Sequence, residues 1–244
     1  MTNRTNDPTL LLIPGHWLGA WAWEQVVDHL TAAGRHAVPV TLPGLDPQDP
    51  QRATRTLDDQ VAAIEALMDE VGAAPERPVV IVGHSGANAP VSQLLDRHAN
   101  RVARVIWVDS GPVAPGTVFA PDLDGELPLP PLDLLRAQAS LDGLDDQMLA
   151  EFRRRAVPQP GPVLRQPVRL SGDAHLRVPT TLVCCSLSGA QMTELAQSGH
   201  PMFAEVAKLE HAQTVDLPTG HWPMWSRPAD LAELLATASA TDED

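Results

Sequence analysis

Short apolar or alternating runs separated by stretches of helical period dominate this chain. Strand-length runs occur at Leu10–Ile13, Ala37–Thr41, Val79–Val82, Val105–Val108, Thr180–Cys185 and Gln213–Asp216. Between the second and third, Leu57, Val61, Ile64, Leu67, Met68 and Val71 recur at helical spacing, with Thr56 and Asp59 placed as a capping box at the start. Val91, Leu94 and Leu95 form a second stripe, where Pro90 is expected to bend the first turn or remove a hydrogen bond. Pro228 opens a third stripe through Leu231, Leu234 and Leu235, after which residues 238–244 turn acidic and should fray. Strand and helix alternate, so the expected fold class is α/β, a mostly parallel sheet with helices on both faces.

The alternation stops between Pro112 and Val178. This stretch is rich in proline and has helical patterns only at Leu132–Leu141 and Asp145–Arg155. So long a segment inside a compact domain is expected to be a mainly helical cap or lid. Residues 1–111 and 179–244 would then form the core of one folding unit, for which 244 residues are sufficient.

Composition narrows the partners. A formal charge of −14 repels phosphate, which argues against nucleic acid and against an anionic membrane surface. The cluster Arg153-Arg154-Arg155 reads as a solvated helix face or a set of local ion pairs. Cys184 and Cys185 are adjacent in an apolar strand, where a bridge between them would be strained, so they read as buried core thiols. The polar start and the lack of any apolar run near the roughly 18 residues of a membrane span lead to the expectation of a soluble cytoplasmic protein. A small-molecule substrate is the expected partner, no metal or cofactor is required, and the sequence leaves open whether the chain is a homo-oligomer.

The chemistry centres on Val79-Val80-Ile81-Val82-Gly83-His84-Ser85-Gly86-Ala87, where an apolar strand ends at a serine held between glycines and a helical pattern follows. This is the pattern of a nucleophile elbow, whose tight strand-to-helix turn projects the serine over the sheet edge; glycine-flanked serines also occur in ordinary turns. Two further segments point the same way. Leu10-Leu11-Leu12-Ile13-Pro14-Gly15-His16-Trp17 runs a strand into a glycine turn, as an oxyanion loop would, and Thr219-Gly220-His221-Trp222-Pro223-Met224 offers a general-base histidine near the C-terminus. The order serine, acid, histidine is that of a hydrolytic triad, in which His221 would take the Ser85 proton and an acid would hold the imidazole in place.

These motifs resemble those of the α/β-hydrolase superfamily, particularly the small plant esterase and hydroxynitrile lyase group and its bacterial esterase relatives. Pro14-Gly15-His16-Trp17-Leu18-Gly19-Ala20-Trp21-Ala22-Trp23 is similar to their His-Gly-x-x-x-Gly-x-Trp-x-Trp segment, with Pro14 in place of the histidine. Thr41-Leu42-Pro43-Gly44-Leu45 and Gly220-His221-Trp222-Pro223-Met224 match two more loops. The resemblance implies an oxyanion hole made by the backbone N–H groups of His16 and Gly86. It also implies an acid after Thr180–Cys185, but that turn reads Ser186-Leu187-Ser188-Gly189-Ala190-Gln191 and has no carboxylate. Asp109, at the end of Val105-Ile106-Trp107-Val108, is the preferred acid, because other branches carry theirs there; Glu194 is the alternative, and Asp216 reads as structural. Trp17, Leu18, Trp222, Met224 and Trp225, with Phe119 of the cap, are candidates for an apolar substrate pocket, whereas Trp21 and Trp23 read as packing.

The function so implied is cofactor-independent hydrolysis of a small apolar carboxylic ester or lactone through an acyl-enzyme on Ser85. A lyase, a carbon–carbon hydrolase or a non-catalytic ligand binder on the same scaffold remain alternatives. Hydroxynitrile lyase activity is disfavoured because Trp222 stands where those lyases carry a lysine.

Overall fold

The computed structural model describes residues 7–240; the N-terminal residues 1–6 and the acidic end 241–244 lie outside the described residues. Six strands form one parallel sheet, β1 (Leu10–Ile13), β2 (Ala37–Pro39), β3 (Val79–His84), β4 (Val102–Val108), β7 (Thr180–Cys184) and β8 (Ala212–Asp216), in the order β2-β1-β3-β4-β7-β8. Within the insertion, β5 (Glu126–Leu127) and β6 (Gln159–Pro160) make a separate antiparallel pair. Pro39 ends β2 at the sheet edge, where a residue with no N–H to donate is tolerated, so this strand is shorter than the apolar run suggests.

The strands are apolar without alternation because both faces are covered. Leu10, Leu12, Val80 and Val82 face one core with helices α1 (Glu24–Ala32) and α9 (Pro228–Ala238); Leu11, Ile13, Val79 and Ile81 face the other, with α2 (Leu57–Glu70), α3 (Asn88–His98) and α7 (Gly189–Gln197). The capping box of α2 is present in both directions: Thr56 Oγ1 accepts the Asp59 N–H, and the Asp59 carboxylate accepts the Thr56 N–H. Pro90 is the third residue of α3, in the first turn, where a proline is tolerated.

The insertion carries α4 (Leu132–Gln138), α5 (Asp146–Arg155) and α6 (Gly161–Arg165). Leu135, Leu149 and Phe152 bury into the α1/α9 core, and the Phe152 ring meets Trp222 and Trp225 at centroid distances of 5.3 and 5.0 Å. Of the arginine cluster, Arg154 pairs with Glu151 within α5, while Arg155 reaches Glu24 of α1 and lies 4.6 Å above the Trp21 ring. The short helix α8 (Pro223–Ser226) links the last loop to α9. No helix among the described residues is long and apolar enough to cross a membrane.

Candidate active site

β3 ends at His84, and the chain turns through Ser85–Ala87 directly into α3. Ser85 has φ of 50°, a left-handed conformation that side chains disfavour and that persists only where the surroundings impose it. The glycine loop after β1 lies against this turn: a Cβ on Gly15 would come within 2.8 Å of Ser85 Cβ. A side chain on Gly86 would overlap the His16 imidazole, which lies across it. Both glycines are therefore required by close approach.

Side chains from three strand ends meet at Ser85. His221 Nε2 stands 2.7 Å from Ser85 Oγ, and His221 Nδ1 stands 2.6 Å from Asp109 Oδ2. Asp109 follows β4 with φ of 44°, and every lone pair facing the protein is used. Oδ1 accepts the N–H groups of Cys185 at 3.1 Å and Ser186 at 2.9 Å, and Oδ2 also accepts the Ser186 hydroxyl at 2.6 Å. Burial alone would raise this carboxyl, but the hydrogen bond and charge of His221, with the Ser186 donors, outweigh it and hold the group at about 2. Glu194, the alternative acid, is exposed on α7, and Asp216 accepts the Gly189 N–H at 2.6 Å at the start of that helix.

The loop bearing His221 is held from two sides. Its backbone N–H donates to Ser140 O of the insertion at 2.8 Å, and Gly220 N–H donates to Asp142 O. Its carbonyl accepts His84 Nε2 at 2.7 Å. Burial, followed by repulsion from His221, pushes the His84 imidazole down to about 3, so it is neutral, and the carbonyl acceptor places its proton on Nε2. His84 Nδ1 is buried with no partner among the described residues. Sequence reading assigned His84 no role, although it sits inside the serine motif; a contact to a backbone carbonyl 137 residues away leaves no local pattern. Ser186 was visible only as the absence of a carboxylate at its turn.

The model for the alpha/beta hydrolase family matches residues 10–234, taking in all three of these strand ends. The chain belongs to the alpha/beta hydrolase family. Probable hydrolase R7 of a Phoma species is 23% identical over 241 residues, which are 94% of this chain and 97% of that one. Putative methylesterase 14 of Arabidopsis thaliana is 28% identical over 107 residues, 43% of this chain and 30% of its own length. Among solved structures, an extracellular alpha/beta-hydrolase from a Paenibacillus species shares the fold with a TM-score of 0.73 at 17% identity, over 95% of this chain and 98% of that one.

In this alpha/beta hydrolase a cavity of about 780 Å³ opens beside Ser85. His16, Gly86, Asp109 and His221 line its reacting end, and the insertion contributes Pro112, Val113, Ala114, Thr117, Phe119 and Gln138 to Ser140. The segment after β7 contributes Leu187, Met192, Met202, Phe203, Glu205 and Val206. Burial and repulsion from His221 lower the His16 imidazole to about 4, so its ring enters the cavity wall neutral.

Of the six residues expected to form the pocket, only Phe119 lines it. Leu18, Trp222, Met224 and Trp225 are buried in the α1/α9 core instead, where large apolar surfaces gain most from removal from water. Trp225 donates its indole N–H to Ala22 O and stacks on Trp21. Trp17 has φ of 66° and ties the loop to the insertion, donating Nε1–H to Leu127 O and accepting the Val157 N–H. The catalytic loops thus lie between core and cavity, and the residues following His16 and His221 face the core. Cys184 and Cys185 are buried free thiols; burial, then the nearby carboxylates, push Cys184 up to about 12, which removes it as a nucleophile.

Proposed function

We propose that this alpha/beta hydrolase cleaves a carboxylic ester or lactone through an acyl-enzyme on Ser85, with no cofactor. The observation that carries this reading is the unbroken hydrogen-bond chain from Ser85 Oγ through His221 to Asp109, opening on a cavity. As Ser85 Oγ attacks the carbonyl, His221 Nε2 takes its proton, and Asp109 stabilises the resulting imidazolium. The oxyanion is received by the backbone N–H groups of His16 and Gly86, both at the cavity wall beside Ser85. His221 then protonates the departing alcohol. Water enters, His221 removes its proton, and the acid leaves Ser85.

Residues 112–178 serve as the cap in this reading, governing entry and fit more than the chemical step. The methylesterase among the relatives makes methyl esters of small carboxylic acids the first substrates to try. An active-site fluorophosphonate is expected to label the wild type at Ser85, with Ser85→Ala abolishing both labelling and ester turnover. Equal labelling of the two proteins by intact-mass measurement would refute the nucleophile assignment.

A further inference from the structure

Apart from Asp109, the cavity wall contains one carboxylate among the described residues, Glu205. Its side chain is only 6% exposed, and its neighbours on that wall, Leu187, Met192, Pro201, Phe203 and Val206, are apolar. A carboxylate so placed is unfavourable unless each oxygen finds a donor. Lys208 Nζ reaches Oε1 at 2.7 Å from a side chain that is 55% exposed, so this pair is solvated on the lysine side. Oε2 accepts nothing from the described residues. Asp109 is the contrast within the same cavity, because both of its oxygens are taken by protein donors.

The turn that holds Glu205 is fixed to the reacting end of the site. A Cβ on Gly111, two residues beyond Asp109, would meet Val206 Cγ2 at 3.1 Å, so this segment packs directly on the acid's turn. A molecule with its carbonyl at Ser85 occupies the same cavity that Glu205 lines. The net charge of −14 also favours the approach of cations over anions.

From this geometry we infer that Glu205 selects esters whose non-reacting end carries a hydrogen-bond donor, an ammonium or a hydroxyl group. The inference rests on the ester-hydrolase reading above. An ester with a donor end supplies the partner that Oε2 lacks, whereas one with a methyl end displaces water from Oε2 and leaves it unpaired. Sites that hold a buried polar group discriminate strongly against ligands that cannot satisfy it.

The test compares esters matched in length and differing only at one end. In one series the acyl group varies, with methyl aminohexanoate, hydroxyhexanoate and heptanoate; in the other the alcohol varies, with aminohexyl, hydroxyhexyl and heptyl acetates. In at least one series the donor esters are expected to exceed the apolar ester by roughly tenfold or more in kcat/KM, as suits a charge-assisted hydrogen bond. Glu205→Gln, which keeps an acceptor but loses the charge, should remove the ammonium preference and retain much of the hydroxyl preference. Glu205→Leu should remove both. A ratio near one in both wild-type series, or ratios unchanged in both variants, would overturn the inference while leaving the esterase reading intact. If no ester is turned over, that reading fails, and calorimetry of the methyl esters with Ser85→Ala decides the role of Glu205 separately. Tighter binding of the donor esters, lost in Ser85→Ala/Glu205→Leu, sustains it; equal binding of all three overturns it.

Discussion

The turns after β4 and β7 divide between them a task that a single turn could perform. The first carries Asp109 in a left-handed conformation; the second carries Ser186, which donates both its N–H and its hydroxyl to that same carboxylate. The two strands are neighbours in the sheet, so their ends lie side by side although 77 residues separate them. What matters for His221 is where the carboxylate stands in space, and here the end of β4 supplies it. The serine at the neighbouring turn is a donor that holds the acid ionised.

The strongest way to break this division is to remove the charge. Asp109→Asn is expected to lower turnover by roughly 10²–10⁴-fold with the fold intact, since an amide neither holds the required tautomer nor stabilises the imidazolium. Adding Ser186→Asp to that variant should restore part of the loss by returning a carboxylate to the other turn. Glu194→Gln should leave turnover close to wild type, because Glu194 is exposed on α7. A loss with Glu194→Gln comparable to that with Asp109→Asn would reverse the assignment.

A gentler change sharpens the comparison. Ser186→Ala removes one hydroxyl donor and keeps the backbone donors, so turnover should fall by about tenfold and the Asp109 carboxyl should titrate higher than in the wild type. NMR titration of the carboxyl carbon reads the second effect directly. No change in either quantity would mean that Ser186 only fills its turn.

A last comparison concerns stability rather than turnover, through the neutral histidine beneath the pair. His84 has a folded pKa of about 3 against an ordinary 6.5, so below pH 6.5 the unfolded chain binds a proton that the folded chain refuses. Stability is therefore fully present above pH 6.5 and declines as pH falls toward 3, by up to about 1.4 kcal/mol per pH unit for one such group. His84→Gln, which keeps an N–H donor but does not titrate, should flatten that part of a urea-midpoint profile. A profile as steep as that of the wild type would show that His84 is not the group responsible.

The fold was largely legible in the chain because its signals are local. All six strands of the main sheet lie where the short runs place them, to within a few residues at the ends, and the Thr56/Asp59 capping box is present. The glycines around Ser85 were legible for the same reason, since tight turns leave their mark in a few consecutive residues. The pocket was not. Trp17, Leu18, Trp222, Met224 and Trp225 adjoin catalytic loops in sequence but turn into the core, while Met192, Phe203, Glu205 and Val206 reach the cavity from a segment without any motif.

By itself the sequence determined the alternation of strand and helix, the strained serine turn, the glycines that let the His16 loop approach it, and the short set of residues from which acid and base could come. Each is written in neighbouring residues, where backbone sterics and hydrophobic period act directly. Only the tertiary structure decided that Asp109 rather than Glu194 stands 2.6 Å from His221, that Ser186 and His84 support the pair, and which side of each loop faces the cavity. Those outcomes depend on which strands become neighbours and which large side chains the core claims. Both follow from packing the whole chain at once, so no local stretch of residues encodes them.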